Sequence, residues 1–316
     1  MERRKIQLIA GSTYTISLPK EWVVKNKLKE KNEILIYEKG DRTLMLSPHS
    51  MESKKLEDIS LNIDDHLSEI NQVLFALYYL GIENISLFSK NDIAKEIRTR
   101  IIKTITNMSV TEVSYEDAKN IKIKVLLDKS KVEIPQVIYR IGLIIGLSVA
   151  NLLDGFDITE VRINENEIDR LYHLISKIVS LSLIDSNILK SSKIDNVIFI
   201  PSYFLIGKRL ENLGDNIYYL SEYIEKNNAN FESRKEILNF VRADINRIAR
   251  YTSGDFHNMF EKTGSEDLKK ISSLVLRIKD KTVSDYLRQV MRYLIDIEEE
   301  IFIISFYNSL IKSGAI

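Results

Sequence analysis

From Pro135 to the C-terminus the sequence carries apolar side chains at helical spacing, with almost no strand-like alternation between them. A chain patterned this way over more than half its length must bury helices against helices. The periodicity predicts helices over about 135–153, 165–183, 201–226, 233–260, 266–279 and 283–312. Pro201 falls at one predicted start, and Thr282-Val283-Ser284-Asp285 supplies another. Six helices in series predict two three-helix bundles, residues 134–228 and 233–316, the second a degenerate copy of the first.

Residues 59–130 read differently. A helix runs through Ile70, Val73, Leu74, Leu77 and Tyr78, and Gly81 follows it as a C-cap. A strand over 84–88, a helix over 92–108 and strands over 110–115 and 121–127 complete a small α/β layer. A polar stretch from Pro48 to about Asp58 reads as the linker before it.

The first fifty residues form a third pattern. In GSTYTISLPKEWVVKNKL, residues 11–28, Tyr14, Ile16 and Leu18 alternate with Thr13, Thr15 and Ser17, as in a half-buried strand. Pro19 suits the first position of a helix reaching about Leu28, which carries the only tryptophan, Trp22. Strands over 33–37 and 43–46 follow, joined through Lys39-Gly40-Asp41. A sheet this small buries too little apolar surface to stand alone. Ile6, Leu8, Ile16, Leu18, Ile34, Ile36, Leu44 and Leu46 therefore need a second layer, and a second copy of the chain is expected to supply it.

Overall charge names no partner, because 45 basic residues balance 45 acidic ones. Its distribution is uneven. Over residues 1–31 eight basic residues stand against three acidic ones, which suggests a phosphate-facing patch and a DNA partner. The candidate contacts are Arg3, Arg4, Lys5, Lys20 and Lys25, with Lys27, Lys29 and Lys31 as weaker ones. Cysteine is absent, which removes disulfides and thiolate sites and fits a reducing cytosol. The longest apolar run, 141–153, is too short to span a bilayer, and Met-Glu-Arg-Arg-Lys at the start has no apolar core behind it. The expectation is a cytoplasmic protein with no membrane insertion. With no phosphate-cradling glycine loop, serine elbow or His-Glu-x-x-His, it is also expected to be no enzyme.

Paired carboxylates recur at a spacing of four. Glu165 with Asp169 and Glu211 with Asp215 each place two oxygen ligands on one helical face. Pairs from adjacent helices can clamp a cation, and His173 one turn beyond Asp169 would add an imidazole. The core seam of the third long helix, through Leu213, Ile217, Leu220 and Ile224, lies roughly opposite Glu211 and Asp215. On spacing alone that favours a solvated acidic face. Asp296 and Glu300 repeat the spacing within an acidic run.

The segment RKIQLIAGSTYTISLPKEWVVKNKLKEKNEILIYEKGDRTLMLSP resembles the swapped-hairpin AbrB/SpoVT domain found at the front of archaeal PhoU-like proteins. The Gly11-Ser12-Thr13 turn, the Ser17-Leu18-Pro19-Lys20 step and the Trp22 helix carry the resemblance. It implies a dimeric β barrel of interleaved hairpins over residues 1–50, often DNA-binding. The helical part is similar to PhoU, a regulator of phosphate uptake with Glu/Asp-x-x-x-Asp metal motifs. RLENLGDNIYYLSE matches its third helix and NEIDRLYHLI its second. The implied ligands of a divalent or iron-type metal are Glu211, Asp215, Glu167 and Asp169, with Glu165 a further candidate. Asp296 and Glu300 carry the two acids in exchanged order, which departs from the family pattern. The whole chain then reads as a multidomain, mainly α protein: a dimeric swapped-hairpin barrel, a small α/β middle layer and a C-terminal pair of three-helix bundles. The expected function is a DNA-binding transcriptional regulator linked to phosphate uptake. The alternative is a PhoU-type regulator of a phosphate transporter or signalling kinase, in which the N-terminal domain only dimerises.

Overall fold

The computed structural model describes residues 3–9, 11, 13–38, 43–48, 58–254 and 258–314. The chain divides into two units, Met1–Leu56 and Glu57–Ile316.

In the first unit β1 (Gln7–Ile9) and β2 (Thr13–Thr15) pair antiparallel, with Leu8 opposite Tyr14. Gly11 adopts φ 74° in the turn, a conformation that favours a residue without Cβ. Pro19 is extended and precedes α1 (Lys20–Lys25) as its cap, one position earlier than its preference for the first helical turn predicts. Its carbonyl accepts from Val23 N at 3.1 Å. The helix stops sooner than Leu28 because Asn26 folds back, its side chain donating to the Trp22 carbonyl at 2.8 Å. A second antiparallel pair, β3 (Leu35–Glu38) and β4 (Leu44–Ser47), sets Ile36 opposite Leu46. The expected Lys39-Gly40-Asp41 turn and the linker over 49–57 lie outside the described residues. The two hairpins remain separate two-stranded sheets, and no barrel closes among the described residues of this one chain. Their apolar side chains stay in solvent: Ile6, Tyr14, Ile36 and Leu44 are 63–69% exposed.

The second unit begins with β5 (Asp58–Asn62), where the sequence reading ended its linker. Then come α2 (Ile70–Tyr79), β6 (Asn84–Phe88), α3 (Lys95–Thr106), β7 (Thr111–Glu116) and β8 (Asn120–Val125). The strand order is β5-β6-β8-β7, with β5 parallel to β6 and the other pairs antiparallel. Ile85, Leu87, Ile121 and Ile123 form one core with Leu74 and Tyr78 of α2 and Ile101 and Ile105 of α3. Lys122 and Lys124 alternate with them and are exposed, the period expected of a sheet wet on one face.

The helices are α4 (Ile134–Asp154), α5 (Ile158–Ser182), the short α6 (Ser186–Ser191), α7 (Ile200–Asn227), α8 (Arg234–Ser253), α9 (Ser265–Arg277) and α10 (Lys281–Lys312). α5 starts seven residues before the predicted Glu165 because Asp157 caps it, accepting from Thr159 N at 2.9 Å. Asp280 caps α10 in the same way. α4, α5 and α7 pack together, α8 runs along α4, α10 along α7, and α9 rests on α8 and α10. Their apolar residues make one continuous core rather than two. The second trio is therefore fused to the first, because α8 and α10 each spend their apolar stripe on a helix of the first trio. α4 extends beyond the 141–153 run, and Ile134–Leu153 is long and apolar enough to cross a bilayer by length and composition alone. Here it lines the helical core through Ile138, Ile141, Ile145, Val149 and Leu152.

Candidate functional site

Two glycines decide how the carboxylate pairs meet. Gly207 and Gly214 stand two turns apart on α7, and Ile175 and Ile168 stand two turns apart on α5. A Cβ on Gly214 would lie 2.9 Å from Ile168 Cδ1, and one on Gly207 would lie 3.1 Å from Ile175 Cγ2. The missing side chains let the two backbones approach closely, as small residues do at tight helix crossings. Asp215 follows Gly214 directly, and Asp169 follows Ile168, so the close approach sets these two acids against each other.

Carboxylate oxygens of Glu165, Asp169 and Asp215 lie within 4.8 Å of one another. None of the three is fully exposed, which corrects the solvated-face reading of this side of α7. Burial, then Glu165, Asp215 and Glu211, push the Asp169 carboxyl up to about 7. Burial and Glu211 raise Asp215 to about 6, and burial with Asp215 raises Glu165. Such an arrangement holds excess negative charge that a cation or a proton would relieve.

The other predicted ligands are engaged elsewhere. Glu211 accepts from Lys208 Nζ at 2.6 Å. That ammonium also sits 4.9 Å from the centre of the Tyr172 ring. Glu167 faces away, held by Arg140 at 2.6 Å and by Arg170 at 2.7 Å. The resemblance assigned Glu167 beside Asp169, whereas the structure puts Glu165 there, one helical turn before Asp169. His173 does not join the acids. It stacks on Phe75 with ring centres 3.9 Å apart, and its Nδ1 is hydrogen-bonded to the Tyr79 hydroxyl at 2.5 Å. Burial, helped by Lys208, pushes its pKa down to about 4. The donor set is thus three carboxylates without an imidazole, a set suited to hard cations such as magnesium or manganese.

Sequence reasoning missed Lys208 and Tyr219. Lys208 is the cation that opposes the rise at Asp169 and Asp215, legible only as a basic residue three positions before Glu211, whereas Arg162 opposes it at Glu165. Tyr219, four residues after Asp215 and 47% exposed, has its phenol raised by Asp215, burial, Glu165 and Asp169. Around Asp296 and Glu300 no three-carboxylate cluster forms among the described residues, and Asp296 accepts from Arg209 Nε at 3.0 Å. α8 and α10 instead share a polar network no spacing announced. Arg247 binds both Asp244 and Glu298, and Thr263 Oγ1 donates to Glu298 at 2.7 Å.

The basic candidates all belong to the first unit. Arg3, Arg4 and Lys5 are exposed just before β1, and Lys20 and Lys25 are exposed at the two ends of α1. Lys27 and Lys31 adopt φ 54° and 68° in the turns after that helix.

Residues 7–54 match the family described as Antidote-toxin recognition MazE, bacterial antitoxin. No curated protein and no solved structure matches the chain. The segment that resembles AbrB/SpoVT domains is thus similar to MazE/AbrB-like antitoxin domains, and this similarity covers the first unit alone.

Proposed function

We propose that the protein is a non-enzymatic, cytoplasmic, dimeric transcriptional regulator that binds DNA through its first unit and senses through its helical layer. The unclosed pair of hairpins carries this reading: apolar side chains that need a second copy stand beside a basic arm. The likeness to a MazE/AbrB-like domain supports a dimerising, regulatory role for that unit. In the sensing part Glu165, Asp169 and Asp215 would hold a divalent cation, with Glu211 tuned by Lys208 beside them. The link to phosphate uptake rests on the PhoU resemblance of the α5 and α7 sequences.

Salt dependence tests the DNA reading. Each phosphate neutralised on duplex DNA contributes a slope of about −0.9 in log K against log salt. Fluorescence anisotropy on duplex DNA at several salt concentrations should give Arg3→Ala and Arg4→Ala slopes shallower by roughly one contact each, with the dimer intact. A slope unchanged when both arginines are replaced, or no binding at low salt, leaves the first unit as a dimeriser. The helical surface would then face a phosphate transporter or signalling kinase.

A further inference from the structure

α5 serves two surfaces at once. One side turns Glu165 and Asp169 toward α7, and another docks the α/β layer. The docking stripe is Arg170, His173, Lys177 and Leu181, spaced by three and four residues along one helical face. Arg170 Nη1 donates to Ser109 Oγ at 3.2 Å. His173 meets Tyr79, and Lys177 Nζ donates to the Tyr78 carbonyl at 2.8 Å. Leu181 lies over Gly81, whose φ of 84° favours a residue without Cβ and where an added Cβ would fall 2.8 Å from Leu181 Cδ2. The two buried side-chain polar atoms without a hydrogen-bond partner among the described residues, Asn71 Oδ1 and Ser176 Oγ, lie on α2 and α5. Docking through so many buried polar groups gains little over their exposure to water.

Lys177 is the extreme case. It is 1% exposed, and Tyr78 O is its one hydrogen-bond acceptor among the described residues. We propose that this seam is a proton-sensitive latch: Lys177 docks as the neutral amine, and protonation releases the α/β layer, residues 58–127, from the helical layer.

The surrounding groups pull both ways. The Tyr78 ring, 4.1 Å from Nζ, and the carbonyl end of α2 favour an ammonium. Glu83 favours it as well, but its carboxylate is taken by Lys129 Nζ at 2.7 Å, and Lys129 opposes a second cation nearby. Arg170 and the His173–Tyr79 pair lie one or two turns back along α5. Burial outweighs the favourable contacts and, with Lys129, holds the amine down to about 7 from its ordinary 10.5. A base whose pKa is depressed in the docked state supports docking fully above 10.5, loses support as pH falls toward 7, and changes nothing further below that. Between pH 9 and 7 the open fraction should rise roughly fiftyfold.

The cysteine-free chain allows a direct reading of opening. Ser176→Cys places one thiol in the seam of the full-length protein, where a thiol reagent reaches it only after release. Labelling rates, corrected for thiolate fraction with free cysteine, should rise roughly fiftyfold from pH 9 to pH 7. Adding Lys177→Met, an apolar side chain of similar length, should flatten that rise to within about twofold. It should leave intact any limb below pH 6.5 that belongs to His173. A rise that persists in the Lys177→Met background, or none with Lys177 present, overturns the latch. Carbon-13 NMR of the Lys177 side chain in the unsubstituted protein reads the same question without a variant. A midpoint near 7 supports the proposal, and one near 10.5 defeats it.

Discussion

Glu165 and Glu167 stand two positions apart on α5, and the structure gives them opposite company. Glu165 meets Asp169 and Asp215, while Glu167 is held by Arg140 of α4 and Arg170 of its own helix. The i, i+4 spacing of the acids was legible in the sequence. Which acid turned inward was not, because Arg140 lies on a different helix and its position depends on packing. The three clustered carboxyls have raised pKa values, so the metal-free protein should lose stability as pH rises. An acid with folded pKa near 7 and ordinary value 3.8 costs nothing below 3.8, and its penalty grows until pH passes 7. Thermal melts in chelator should therefore show the midpoint falling between pH 4 and pH 7. Asp169→Asn should flatten most of that fall, and millimolar magnesium or manganese should cancel it in the unsubstituted protein but not in Asp169→Asn. A fall of equal size in the variant would remove Asp169 from the cluster's electrostatics.

At the scale of elements, the contact between α5 and α7 depends on an absence of side chains. Replacing Gly214 with alanine gains about 1 kcal/mol of helix propensity. The new Cβ must also find room 2.9 Å from Ile168 Cδ1 and 3.3 Å from its Cγ2, and overpacking of this kind costs about 1–3 kcal/mol. Overpacking should therefore match or exceed the gain, and α7 should shift away from α5. Gly214→Ala should weaken calorimetric binding of manganese at least tenfold, since Asp215 moves with the backbone. Shortening the opposing side chain with Ile168→Val should restore part of the affinity, an outcome that a direct effect of the alanine would not give. The helices themselves were readable from their 3.6 period, and β6 from its apolar residues. β5 was missed because Asp58, Ser60 and Asn62 make it look like linker, and only pairing with β6 stabilises it. The fusion of the two helical trios was hidden for a related reason. Periodicity tells that α8 and α10 have an apolar stripe, but not that α4 and α7 receive it.

For the whole molecule, the decisive question is what covers the first unit. A fully buried aliphatic side chain contributes about 1.5–3 kcal/mol. Most of that is forfeited in a single chain that leaves Ile6, Leu8, Ile16, Ile36 and Leu44 exposed, with no side chain of α1 buried. The second unit has a large continuous core and needs no such help. The two units should consequently differ in how stability depends on protein concentration. Only an element completed by a second copy gains from mass action. Trp22 makes this measurable: it is the sole tryptophan, it lies in α1, and it is half-buried there. Fluorescence excited at the red edge of tryptophan absorption therefore reports the first unit alone, while far-ultraviolet circular dichroism is dominated by α4, α5, α7, α8 and α10. In a denaturant titration of the full chain, the fluorescence midpoint should rise with each tenfold increase in protein concentration. The helical midpoint should stay fixed. Leu44→Glu, which puts a charge among the exposed apolar groups, should drop the light-scattering mass to that of one chain. It should also lower the Trp22 midpoint and leave the helical transition where it was. A Trp22 midpoint indifferent to concentration would mean that the hairpins are stable in one chain, and their apolar surface would then have to serve a different partner.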